Sequence, residues 1–231
     1  MFRMLRTIVL VGAAVGVAQG GLLLASGSSA PAPSGGGSSM PSMSPEERAI
    51  EAYKSGDEHR VKGKKLEEEA STKQGADIEK TTAKAKTEYE KSLKDFKNAA
   101  KLNPGLYQAY NGMGYAYRKT GDYAKALEMY DQAIKLAPGF FPEAVEYRAE
   151  AYLALNRIDD ARQAYLDLFA ADRKQADILM DAMKKWVASR QAAPAGVAPD
   201  AITGFEKWIG EREGVAKQTQ LMAISTKYAG W

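Results

Sequence analysis

Over residues 107–140 the apolar and polar positions alternate with a helical period that restarts once, at a short polar break. Tyr110, Met113, Gly114 and Tyr117 are spaced three or four apart and share one helix face. Ala126, Tyr130 and Ala133 do the same on the following segment. Thr120-Gly121-Asp122 separates the two: Gly121 is suited to end the first helix in a left-handed conformation, and Asp122 to cap the second. Pro138 stops the second helix, because its ring and missing N–H cannot continue the hydrogen-bond ladder. The pattern predicts an antiparallel helical hairpin.

The hairpin recurs. A shift of 34 residues superposes Tyr89 on Tyr123, Ser92 on Ala126, Phe96 on Tyr130, Ala99 on Ala133 and Pro104 on Pro138. A further shift of 35 carries Gly114 to Ala149, Tyr117 to Tyr152, Ala126 to Ala161 and Tyr130 to Tyr165. Two helices approach closely only where facing side chains are small, and large ones must fill the space beside that contact. This explains why glycine and alanine keep fixed distances from tyrosine. The pattern resembles the tetratricopeptide repeat, a 34-residue helix–turn–helix unit. The resemblance implies an all-α fold of helical hairpins stacked as a short right-handed solenoid with C-terminal capping helices.

Residues 107–140 carry the resemblance most fully. Residues 142–175 depart at Val145, where the family has an aromatic, and at Arg173, in place of the final proline. The first unit is split. "SPEERAIEAYKSGDEHRVKG" opens with a capping box at Ser44 and Glu47 and places Ala52, Ser55, Gly56 and His59 at the family's positions. Its second helix covers about Thr87 to Leu102. The intervening residues 64–86 are charged and alanine-rich, and read as an exposed helical extension broken at Gln74-Gly75 or as a mobile loop. Repeats thus occupy 44–175 and capping helices 176–231, with one stripe of Ile178, Leu179, Met183, Trp186 and Val187 and another of Ile202, Phe205, Trp208 and Ile209.

Ahead of the repeats, Arg3 and Arg6 precede an apolar run to Ala25, so residues 1–27 read as a signal peptide or, uncut, as a membrane anchor. Residues 28–43 are a flexible Ser/Gly/Pro linker. Cleaved or uncut, the leader implies an exported protein of the periplasm or cell envelope. The formal charge of +3 falls to about +1 without the two leader arginines, too balanced to advertise a nucleic-acid surface. The absence of cysteine excludes disulfides and thiolate metal sites.

Candidate chemistry is sparse. The single histidine, His59, sits at a large core position of the repeat and reads as structural, and one histidine leaves zinc without its usual ligands. Glu67-Glu68-Glu69 lies in the charged insertion, and Asp159-Asp160 starts a helix, where acids favour the dipole. No phosphate-binding glycine loop occurs. The expectation is a protein that is not an enzyme and needs no metal or cofactor.

What remains is the groove. The resemblance implies that first-helix side chains not used in packing line a concave surface that binds a partner protein or peptide. These are Gln108, Asn111, Tyr115, Arg118 and Lys119, then Glu143, Glu146, Glu150 and Leu153, then Ile50, Tyr53, Asp57 and Arg60. Tyr115 and Arg118 are the expected anchors. The family's carboxylate clamp uses lysine, asparagine and arginine, and Gly112 and Tyr147 occupy two of its positions, which argues against recognition of a chaperone tail. The expected function is an exported scaffold binding a partner in this groove. The alternative is a membrane-anchored tether that uses the charged extension as a spacer or self-association element.

Overall fold

The structure is a computed structural model that describes residues 43–228, with side chains described through residue 222. The leader and nearly all of the linker lie outside these residues. Eight α-helices and no strands occur among the described residues: α1 (Pro45–Ala70), α2 (Ala76–Leu102), α3 (Tyr107–Thr120), α4 (Tyr123–Leu136), α5 (Pro142–Ala154), α6 (Ile158–Ala171), α7 (Arg173–Ala192) and α8 (Pro199–Tyr228).

Their ends follow local chemistry. Ser44 accepts from the Glu47 backbone N–H while the Glu47 carboxylate accepts from that of Ser44, closing a capping box with Pro45 in the first turn. Gly121 ends α3 in the left-handed region at φ 90°, and Asp122 caps α4 by accepting from the Lys125 N–H. Ala137 is extended, as the residue before a proline prefers, and α4 stops there. Asn156, at φ 58°, closes α5 in the way Gly121 closes α3: the N–H of Arg157 reaches Tyr152 as that of Asp122 reaches Tyr117.

The helices pack as successive antiparallel neighbours, and one contact repeats through the solenoid. A large ring on the second helix of each hairpin covers a small residue on the first. A Cβ added to Gly114 would lie 2.6 Å from the Tyr130 ring, and one added to Gly56 would lie 2.8 Å from that of Phe96. A Cβ on Gly112 would stand 2.5 Å from the other side of Phe96, so this ring wedges between α1 and α3. Ala149 and Tyr165 belong to one buried cluster in the third hairpin.

The first hairpin is longer than the others. Residues 64–70 continue α1 and 76–86 begin α2, so each helix runs about 40 Å against about 21 Å for α3 and α4. Its seam has a strict period. The buried residues of α1 are Ala49, Gly56, Gly63 and Ala70, seven apart, and Tyr89 covers Gly63 one heptad back from Phe96. Helices with a small residue at every seventh position lie close enough to pair without a wide apolar stripe. Ser92 donates to the Gly56 carbonyl across the same seam at 2.8 Å.

The largest buried cluster lies under α5 to α8. Here α7 buries Ala176, Leu179, Met180, Met183, Trp186 and Val187, whereas Ile178, expected on that stripe, is 43% exposed. The buried face is centred on the line from Leu179 to Trp186, and Ile178 falls to its side. Trp186 donates its indole N–H to the Leu153 carbonyl at 2.6 Å. Ile202, Phe205 and Ile209 seat the first turns of α8. No helix among the described residues is long and apolar enough to cross a membrane.

Candidate partner-binding groove

Residues of α1, α3 and α5 converge on a cavity of about 110 Å3 beside the contact of Phe96 with Gly112. Tyr53, Asp57 and Arg60 line it from α1, Gln108, Asn111, Gly112 and Tyr115 from α3, and Glu143 and Tyr147 from α5. Each group recurs at a spacing of three or four and so shares one helix face. The Phe96 ring forms part of the wall, 5.5 Å from that of Tyr53.

Tyr115 is the centre of this surface and is only 6% exposed. The rings of Tyr89 and Tyr147 meet it edge-on at 5.9 and 5.2 Å, a geometry that places a positive ring edge on a negative face. Three cations surround the same ring: Arg118 at 5.1 Å, Arg60 at 5.4 Å and Lys119 at 5.7 Å. Every one of them has a carboxylate. Arg60 donates to Asp57 at 2.8 and 2.6 Å, Lys119 to Glu67 at 2.6 Å, and Arg118 pairs with Glu150 across to α5. Arg118 also donates to the Tyr130 hydroxyl at 3.3 Å. Burial pushes the Tyr115 and Tyr147 hydroxyls above their ordinary pKa, so both stay neutral donors.

Glu146 is the exception among the charges. It is 2% exposed, and its Oε1 has no hydrogen-bond partner. Burial raises its pKa to about 7, with Glu143 adding to the rise and Arg118 opposing it. The Gln108 Oε1 and Asn111 Oδ1 are likewise buried without a partner. Native interiors hold few such atoms, and here two of them belong to cavity-lining residues of α3.

The expected groove residues therefore divide. Tyr53, Gln108, Asn111 and Glu143 line the cavity; Tyr115, Arg118, Lys119 and Glu150 form an ion-paired and aromatic floor, and Glu146 is buried. Ile50 is exposed. Leu153 is buried in the cluster beneath α7 and is not part of the groove. Sequence reasoning missed Glu67 and Tyr89. A signal existed, because Tyr53, Arg60 and Glu67 are seven apart on α1, which carries the groove face into the extension. Tyr147, read only as an obstacle to a carboxylate clamp, is a principal wall.

His59 lies elsewhere, on the seam between α1 and α2. Its Nδ1 sits 2.7 Å from the Glu88 carboxylate, which hydrogen bonds from Lys91 first and His59 second hold below the usual carboxylate range. Among the described residues no group of three or more histidines and acids is placed to hold a metal ion.

No curated protein sequence matches the chain. Among solved structures, the TPR2B-domain:pHsp70-complex of yeast Sti1 is similar over 71% of this chain and 98% of its own, with 14% identity and a TM-score of 0.39. That likeness is too low to bear on the groove's geometry or its ligand. The tetratricopeptide repeat family profile matches residues 107–140, the α3–α4 hairpin that supplies the centre of the groove.

Proposed function

We propose that this protein is a non-catalytic scaffold that holds a partner protein or peptide against the surface formed by α1, α3 and α5. The observation that carries the reading is the cavity itself, lined by equivalent faces of the first helices of three successive hairpins. Its floor is fixed by ion pairs and ring contacts before any partner arrives, so binding orders few side chains. Its rim offers the partly exposed Tyr53 and the exposed Glu143.

The test uses the rim, because Tyr115 and Arg118 support the fold. A variant carrying Tyr53→Ala and Glu143→Arg is expected to lose at least about tenfold in recovery of the partner on affinity purification, with unchanged helicity. Undiminished recovery would place docking outside the groove. We further propose that the protein acts in the cell envelope, on the strength of the apolar leader in residues 1–27. Mass spectrometry of the mature amino terminus checks this: cleavage after the leader supports export and removes the anchor that a tethering role requires.

A further inference from the structure

We infer that the groove receives a cationic side chain of the partner, the ammonium of a lysine or the guanidinium of an arginine; this rests on the groove reading above. The cations of this surface are already paired. Arg60, Arg118 and Lys119 are held by Asp57, Glu150 and Glu67 respectively. Two acids of the same surface have no ion-pair partner: Glu143, exposed on the cavity wall, and Glu146, buried one turn along α5. Glu143 therefore leaves negative charge unspent, and Glu146 adds to it as it ionises.

The groove's unspent hydrogen-bonding capacity points the same way. Glu146 Oε1, Asn111 Oδ1 and Gln108 Oε1 are acceptors with no donor. As placed, both amides present oxygen, and Glu146, whose pKa lies near 7, becomes a pure acceptor when a bound cation holds it ionised. Ammonium and guanidinium groups donate only, which is the chemistry these atoms lack. A carboxylate ligand would meet Glu143 and Glu146 with no free cation to receive it, and a like-charge approach of that kind is strongly disfavoured.

Shape agrees with charge. A cavity of about 110 Å3 is far smaller than sites for drug-sized ligands and suits the end of one side chain. Tyr53, Tyr115 and Tyr147 supply ring surface on which the methylene stem of a lysine or arginine can lie while its head reaches Glu143 on the cavity wall.

Titration of the purified protein with acetylated, amidated tripeptides, followed by NMR, tests the inference. The probes place lysine, arginine, norleucine or glutamate between two glycines, and the reporters are the side-chain amide signals of Gln108 and Asn111. The lysine and arginine probes are expected to shift these signals saturably, at least about tenfold more tightly than norleucine or glutamate. Glu143→Gln and Glu146→Gln should each weaken that preference several-fold. Glu143 is exposed, so its variant keeps the test valid if Glu146→Gln disturbs folding. Equal or tighter binding of norleucine or glutamate at these signals overturns the cationic preference and leaves the groove reading standing. Failure of every probe to move them also overturns it, and partner recovery with the Tyr53 and Glu143 variant then decides the groove reading separately.

Discussion

Single residues in this protein are held to narrow tolerances by glycine facing aromatic rings. Gly112 is the tightest such site, since a methyl group there would press on Phe96 at 2.5 Å while Gly56 blocks the ring's retreat on the other side. Gly112→Ala should therefore destabilise the protein by about 1–3 kcal/mol, read from urea melts. Glu146 makes a prediction about pH. Its carboxyl has an ordinary pKa of 4.5 and about 7 in the fold, so the folded state holds the proton more tightly than the unfolded state. Its stabilising contribution is complete below the unfolded value and is lost as pH rises through about 7. Relative to wild type, Glu146→Gln should gain about 1–3 kcal/mol between roughly pH 5 and pH 8, measured by urea melts at the two values. A constant difference across that window would mean that Glu146 does not titrate there. Glu146 was expected in the groove by its register, but not as a buried acid. Gly112 looked like a departure from a clamp, and burial of Glu146 depends on how α3 and α5 meet, which a single chain's periodicity does not specify.

At the level of elements, caps and turns were the most legible features, because their chemistry is local. Ser44, Gly121, Asp122 and Pro138 act within a few residues of where they stand. Asn156 was not recognised as the counterpart of Gly121, although it lies 35 residues further on, as the repeat requires. Its left-handed backbone and its two side-chain bonds, from Arg190 at 3.0 Å and to the Ala195 carbonyl, tie the end of α5 to α7. Asn156→Ala should cost about 1–2 kcal/mol, and Asn156→Gly less, because only glycine relieves the backbone term. The length of the first hairpin was harder to read. Charged residues over 64–86 fit a helix or a loop equally well, and the deciding feature was the heptad of small residues, which continues through Gly63 to Ala70. Groove residues were found by register on α3, yet their engagement was not. An ion pair between Arg118 and Glu150 joins side chains 32 positions apart on neighbouring hairpins, and no spacing rule within one helix reveals it.

Across the whole solenoid, stability should be graded. Each hairpin touches only its neighbours, so local opening depends on how much apolar surface is buried nearby. Residues 71–80, at the tip of the first hairpin, are all exposed, whereas α5 to α8 enclose the largest cluster. Hydrogen exchange should be fastest at that tip and slowest in α5 to α7; uniform protection would contradict this gradient. The same gradient leaves the groove between the two regimes, with a floor rigid enough to present Tyr53, Glu143 and Tyr147 in fixed positions. The most direct test of the central claim is photocrosslinking in intact cells with a reactive residue placed at Glu143, and separately at Lys86 on the outer extension. Capture of a discrete partner from position 143 and not from position 86 is the predicted result, whereas capture from 86 alone would contradict the assignment of the groove.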